Sequence, residues 1–252
     1  MSVDIWAAAC EDGEPHTRLD GVLFRLVESQ VQIATHRLVS SLEEQAVLEE
    51  LLDKVKPPLP RDAGNLHYLL ATPFRYPPLR YGSRFGRRHE PSLFYGSLTV
   101  AAVLAETAYY RFLFWHGMET APESPLNTQH TLFSAHYACD RGIKLHQPPF
   151  DVWQADLAHR SSYVATQPLG SSMRAAGIEA FEFVSARDPA SGINVALFRP
   201  SALASQRPET TQNWWAETCA DHADFYCHEA SSVYRFDLST FLVEGALPLP
   251  AL

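Results

Sequence analysis

One carboxylate stands apart from its surroundings. Between Leu98 and Trp115 the clearly polar side chains are Thr99, Glu106, Thr107 and Arg111, so a helix over this span is apolar almost all round and is expected to be buried. The positions three and four residues from Glu106 hold Ala102, Val103, Tyr109 and Tyr110, while Arg111 lies five residues on and points elsewhere. No local salt bridge neutralises the acid. A buried carboxylate of this kind needs a partner from a distant part of the fold or from a ligand. A purely structural carboxylate, tied to a tyrosine hydroxyl or to distant backbone, would answer the same need. Upstream, Arg84, Arg87 and Arg88 share a loop with Gly82 and Gly86. Guanidiniums grip phosphate in fork geometry, and small residues let backbone approach a ligand. Acid and loop together are the makings of a pocket that holds an anionic ligand and presents a carboxylate to it.

These residues must be positioned by the elements around them. Leu93-Phe94-Tyr95-Gly96 reads as a short aromatic strand leading from the basic loop into the Glu106 helix. Gly21 to Val27 reads as a first strand in which Arg25 is a lone charge among apolar residues, after an irregular arm over residues 1–20. Ser41-Leu42-Glu43-Glu44 is a capping-box pattern. Val47, Leu48, Leu51, Leu52 and Val55 follow at helical spacing until Pro57-Pro58, which predicts an amphipathic helix with an acidic outer face. Leu132 to Tyr137 alternates like a strand, and a helix around Ser171 to Ala176 ends at Gly177. Strands are expected at Ile178–Val184 and Ile193–Phe198, which would let Ser185 and Asn194 meet in a pocket. In the tail, Trp214 to Glu229 is read as an aromatic-rich helical segment and Val233 to Asp237 as a strand. No internal repeat is visible.

The order Leu23-Phe24-Arg25, Gly82-Ser83-Arg84-Phe85, Tyr95-Gly96-Ser97, Ala105-Glu106, Val184-Ser185 and Asn194-Val195-Ala196-Leu197-Phe198 resembles the RES-domain toxins of bacterial toxin–antitoxin pairs. The resemblance spans about Leu23 to Pro200. It implies an α+β, ADP-ribosyltransferase-like fold: a mixed β-sheet core with flanking helices, here carrying a helical insertion over about 40–79 and a C-terminal extension over about 205–252. The whole chain, 1–252, is expected to form one domain with its core at about 21–200. The resemblance further implies an enzyme that degrades NAD at the nicotinamide–ribose bond by phosphorolysis or hydrolysis. NAD is then substrate rather than cofactor, and inorganic phosphate is a possible co-substrate. In this scheme Glu106 stabilises an oxocarbenium-like ribose, which suits a reaction whose leaving group is already cationic. Arg84, supported by Arg25, grips phosphate; Tyr95 packs near the nicotinamide ribose; Ser185 orients Glu106 or the ribose. Gly82, Ser83, Phe85 and Asn194 complete the substrate-binding set. Where many members carry Gly-Gly-Arg-Trp, this chain has Gly-Ser-Arg-Phe, so the stacking residue differs. A small helical antitoxin of the Xre type, with a DNA-binding half, is the implied partner. Two other readings are a mono-ADP-ribosyltransferase with a protein target and a noncatalytic nucleotide- or partner-binding module. Loss of Arg84, Tyr95 or Glu106 would favour the last, and all three are present.

Composition bounds these readings. The chain has 252 residues, 46% hydrophobic and 12% aromatic, ample for a core and against wholesale disorder. A formal charge of −9 argues against nonspecific nucleic-acid binding, which needs a basic face. Cys10, Cys139, Cys219 and Cys227 form no CxxC pair, and the N-terminus lacks a basic stretch followed by an apolar run, so a reduced cytoplasm is expected. Nothing reaches the roughly 18–20 consecutive apolar residues of a membrane span. Cys219, His222, Cys227 and His228 cluster, but their spacing fits no common zinc pattern, and no metal is expected.

Overall fold

The computed structural model describes residues 4–11, 13, 15–29, 41, 43, 44, 47, 48, 50, 51, 56–78 and 80–249. Its centre is an eight-stranded mixed sheet: β1 (Thr17–Glu28), β2 (Phe94–Ser97), β3 (Leu126–Lys144), β4 (Ala180–Val184), β5 (Ile193–Leu197), β6 (Thr210–Thr218), β7 (His222–Cys227) and β8 (Ser232–Asp237). The strand order is β1-β2-β5-β4-β3-β6-β7-β8, and β1 also pairs with β3. The first five strands in that order therefore form a ring, closed between β1 and β2 by one registered pair, Phe24 opposite Ser97. Among the described residues β3–β4 is the parallel pair and the others are antiparallel. The helices are α1 (Ile5–Ala9), α2 (Tyr68–Arg75), α3 (Val100–His116), α4 (Gln154–Leu157) and α5 (Thr166–Ala175). This is the expected α+β arrangement of a mixed sheet with flanking helices.

Alternation along the strands builds the core. Leu19 and Leu23 on β1, Phe133, Ala135 and Tyr137 on β3, and Val195 and Leu197 on β5 share one buried cluster, which Leu70 and Phe74 of α2 also enter. Phe181 and Phe183, one residue out of phase on β4, face a second cluster with Phe85 and with Leu169 and Met173 of α5. A third joins Tyr109 and Phe112 of α3 to Trp214, Phe225 and Phe241. Each fully buried side chain of this size contributes about 1.5–3 kcal/mol relative to exposure.

The helix carrying the central acid starts directly after β2. Thr99 caps it, its hydroxyl accepting from Ala102 N–H at 3.2 Å. It is not buried all round. Tyr110 and Phe114 are half-exposed, and Glu106 and Thr107 are only part-buried. The helix packs Leu104, Ala108 and Phe112 with Leu132, Trp214 and Phe225 of the sheet, while Val103, Glu106, Thr107 and Tyr110 border a cavity.

Several expectations are corrected. The N-terminal arm is not irregular: Asp4 caps α1, accepting from Ala7 N–H at 3.1 Å, and β1 begins at Thr17. The strand expected at Leu132–Tyr137 is the middle of a 19-residue β3. The tail segment Trp214–Glu229 is no helix but the β6–β7 hairpin. Trp214, Ala216 and Thr218 point in while Trp215 and Glu217 point out, the two-residue period of a strand. In the insertion Glu43, Glu44, Val47, Leu48, Glu50 and Leu51 are helical, and the Ser41 hydroxyl accepts from Glu44 N–H at 3.1 Å. Val47 and Leu51 are more than half exposed, so these two positions do not enter the core; Leu42, Leu52 and Val55 lie outside the described residues. A second helix, α2, follows within the same insertion. Helix α5 ends just before Gly177, whose φ of +74° lets the chain turn into β4.

Candidate functional site

A cavity of about 570 Å³ opens between β1, α2, the Gly82–Arg84 turn, β2 and α3, within the size range of small-molecule sites. Glu106 stands in its wall. Its Oε1 accepts from the Ser185 hydroxyl at 2.6 Å and from Asn194 Nδ2 at 2.7 Å. Among the described residues its second oxygen accepts no hydrogen bond. The two donors come from neighbouring antiparallel strands, as expected: Phe183 lies opposite Asn194, and Ser185 N–H donates to Gly192 O at 2.8 Å. Each donor is itself fixed. Asn194 Oδ1 accepts from the Ser97 hydroxyl at 2.7 Å, which ensures that its amide nitrogen faces Glu106. Ser185 Oγ accepts from Arg187 N–H at 3.1 Å and Asp188 N–H at 3.0 Å, so its own proton is directed at the carboxylate. Asn194 lines the cavity, whereas Ser185 is buried behind Glu106 and reaches the cavity only through it.

Tyr95 anchors the preceding turn. Its hydroxyl lies 2.8 Å from Ser83 Oγ and accepts from Phe85 N–H at 3.3 Å. Burial pushes this phenol up to about 12, so it stays protonated near neutrality. Gly82 makes the turn possible: its φ is +75°, and a Cβ there would lie 2.3 Å from Gly86 O. Ser83 N–H donates to Gly86 O at 2.7 Å. These glycines thus serve the turn's own packing. Arg84 projects from it to a loop beyond α4, its Nη1 donating to His159 O at 2.8 Å and Leu157 O at 3.3 Å while its guanidinium lies 4.9 Å over the Tyr163 ring. His159 Nδ1 holds that loop, accepting from Ser161 and Ser162 N–H at 3.2 and 3.0 Å.

Arg25 enters from β1. It donates through Nη1 to Tyr95 O, lies 5.0 Å over the Phe94 ring, and is lowered by burial to about 10. The structure therefore brings Arg25, Gly82, Ser83, Arg84, Tyr95, Glu106 and Asn194 to one cavity. It does not bring Phe85, which is fully buried and makes edge contacts with Phe181 and Phe183, both at 4.8 Å between ring centres. The residue expected to touch substrate is a core residue, because the turn directs it inward beneath α5. Arg87 and Arg88 are also absent from the cavity wall; Arg87 N–H instead donates to Glu90 at 2.8 Å. Arg111 turns away from Glu106 as expected, its Nε donating to Thr218 at 3.0 Å.

Sequence reading missed Arg187, Tyr163 and the α2 residues Tyr68 and Thr72, all at the cavity. Arg187 sits in Ser185-Ala186-Arg187-Asp188-Pro189, which reads as an ordinary polar turn. Its burial is set by Tyr109, whose ring lies 3.5 Å from the guanidinium carbon, and no local pattern announces that contact. Away from the cavity, Glu217, Cys219 and His222 place ligand-type atoms within 4.8 Å of one another on the β6–β7 hairpin. Cys227, expected to cluster with them, is instead fully buried.

The family model for the RES domain matches residues 59–218. Glu106, Ser185 and Asn194 fall inside this span; Arg25 falls before it. Among solved structures, a chain of the M. tuberculosis MbcT–MbcA toxin–antitoxin complex is similar at 11% identity, with 79% of this chain and 86% of that one covered and a TM-score of 0.45. A search of curated proteins returns no match.

Proposed function

We propose, from the premise that this chain belongs to the RES-domain family, that it is an NAD-degrading toxin of a bacterial toxin–antitoxin pair which cleaves the nicotinamide–ribose bond. The observation that carries this reading is the Glu106 carboxylate: one oxygen is fixed by two buried donors, and the other faces a cavity that also holds arginine side chains. Family membership is established by the match over more than half the chain; the reaction is our reading of the cavity.

In this reading the dinucleotide lies with its nicotinamide ribose against Glu106. The bond between ribose C1′ and the pyridinium nitrogen breaks, its electron pair passes to that nitrogen, and neutral nicotinamide leaves. Positive charge builds on C1′ and the ring oxygen. The free oxygen of Glu106 accepts from a ribose hydroxyl and favours that charge electrostatically, without reorganising, because Ser185 and Asn194 have already set its plane. Tyr95, fixed as a neutral hydroxyl against Ser83, supports the turn that places Arg84 near the phosphates. Inorganic phosphate then bonds to C1′ through one of its oxygens, or water does so and gives up a proton to solvent. A cavity of about 570 Å³ admits the nicotinamide half with its diphosphate, and the half-exposed rings of Tyr68 and Tyr110 at its wall offer apolar faces to the bases. The implied partner is a co-encoded helical antitoxin. The protein is expected to act in the cytoplasm, and among the described residues no helix is long and apolar enough to cross a membrane.

The test is incubation of the purified chain with NAD, with and without inorganic phosphate, following nicotinamide release and the fate of the ADP-ribose half. Release that requires phosphate and yields a phosphorylated ADP-ribose identifies a phosphorylase; release independent of phosphate identifies a glycohydrolase. Folded protein that releases no nicotinamide, even with cell extract added as a source of acceptors, would refute the reading.

A further inference from the structure

Among the described residues three arginines line the cavity, and they differ in how far their donors are already committed. Arg84 Nη1 is held by two backbone carbonyls, at 2.8 and 3.3 Å. Arg25 Nη1 is held by Tyr95 O. Arg187 differs from both. It is 3% exposed, and neither Nη1 nor Nη2 has a hydrogen-bond partner. Among the described residues no carboxylate forms an ion pair with it; the neighbouring Asp188 turns its oxygens to Ala190 N–H at 3.0 Å and Gly192 N–H at 3.2 Å. Glu106 is no counter-ion within salt-bridge distance either, and its Oε1 is already taken. A buried guanidinium with both terminal nitrogens unpaired is costly, and an incoming anion removes that cost.

We infer that Arg187 is the principal phosphate-binding residue of the cavity, taking two oxygens of a phosphate group along its Nη1–Nη2 edge. Geometry limits how the anion approaches. Tyr109 covers one face of the guanidinium at 3.5 Å, so the planar edge is what remains for bidentate contact. Arg187 is also tied to the acid: its backbone N–H donates to Ser185 Oγ at 3.1 Å, and the same hydroxyl donates to Glu106 at 2.6 Å. One serine thus sets the spacing between the group that favours positive charge on the ribose and the group that holds phosphate. The inference rests on the reading of the cavity as an NAD site. The phosphate is either the diphosphate of the dinucleotide or free inorganic phosphate, and both present the same oxyanion chemistry.

The experiment compares wild type, Arg187→Gln and Arg187→Lys in nicotinamide release, varying NAD and inorganic phosphate separately, with circular dichroism confirming the fold. A rise of about tenfold or more in KM for NAD, with kcat at saturation little changed, places the dinucleotide's own diphosphate on Arg187; the same rise in KM for phosphate places free phosphate there. Arg187→Lys keeps the charge but not the fork and is expected to fall between, in the same constant. A purely structural arginine would lower thermal stability without this split, so a folded variant with both KM values unchanged overturns the inference. Should Arg187→Gln not fold, Arg187→Lys carries the same comparison. Should wild type release no nicotinamide, the proposed reaction falls by itself, and calorimetric titration with inorganic pyrophosphate judges the arginine. Binding lost in the variants supports the site; binding that is equal in all three proteins, or absent from wild type, overturns it.

Discussion

At the scale of single residues the site is a chain of fixed hydrogen-bond directions ending at one free carboxylate oxygen. Removing the charge while keeping the shape, as in Glu106→Gln, is expected to lower kcat for nicotinamide release by about 10²–10³-fold, in line with losing one preorganised electrostatic contact. The fold should stay intact by circular dichroism. Ser185→Ala acts less directly. It removes one of the two donors to Glu106 and strands the Arg187 and Asp188 amides. An activity loss of roughly tenfold, with stability lowered by about 1 kcal/mol in urea unfolding, is the expected outcome. Unchanged activity in Ser185→Ala would mean that Asn194 alone fixes the acid. The isolation of Glu106 could be read from sequence because eighteen residues around it are nearly all apolar; its partners could be placed only by assuming that two later strands are neighbours. Arg187 could not be read at all, since a Ser-Ala-Arg-Asp-Pro turn looks the same whether its arginine meets solvent or the Tyr109 ring.

At the scale of elements, the legible strands include the short apolar runs Phe94–Ser97, Ala180–Val184 and Ile193–Leu197, which are buried on both faces, and the misreadings have physical causes. The β6–β7 hairpin reads as a helix in sequence because Trp215, an outward residue that is 49% exposed, masks the alternation that Trp214, Ala216 and Thr218 would otherwise make plain. Glu106 was expected to be fully buried because an apolar helix face bordering a cavity has the same composition as one packed on protein. The hairpin matters to the site through α3. Phe225 and Trp214 pack with Tyr109 and Phe112, and the Tyr109 hydroxyl donates to Pro248 O at 2.5 Å. Phe225→Ala should cost about 3–5 kcal/mol, measured by denaturant unfolding, from lost burial and the cavity left behind. Strand β3 adds a pH dependence. Burial, aided by the Arg111 charge, lowers the His130 imidazole to about 4 from the ordinary 6.5. Between these values the unfolded chain binds a proton that the folded chain refuses, so stability is complete above pH 6.5 and falls as the pH drops toward 4. The full loss is about 3 kcal/mol. Urea unfolding from pH 7 to pH 4 should show this slope, and His130→Gln should flatten it.

At the scale of the whole molecule, a chain with formal charge −9 gathers three arginines at one cavity. A net negative charge of this size repels polyanions as a whole, while the local field at the three arginines favours a small anion. If the chain consumes NAD in cells, its expression should halt growth, and Glu106→Ala or Arg84→Ala should be tolerated at equal protein levels. Equal tolerance of wild type and both variants would count against an NAD-consuming role. The long span of the Glu106 hydrogen bonds has a further consequence, for synthesis. The acid's two donors follow it by 79 and 88 residues. Translation at about 5–20 residues per second leaves a delay of roughly 4–18 s between the two ends of that bond network. Until β5 has emerged and docked beside β2 and β4, the nascent chain holds a carboxylate with neither donor in place. The Glu106–Ser185–Asn194 arrangement is thus completed only after Asn194 has emerged, and if the chain is the proposed toxin, a partner made at the same time has that interval in which to meet it.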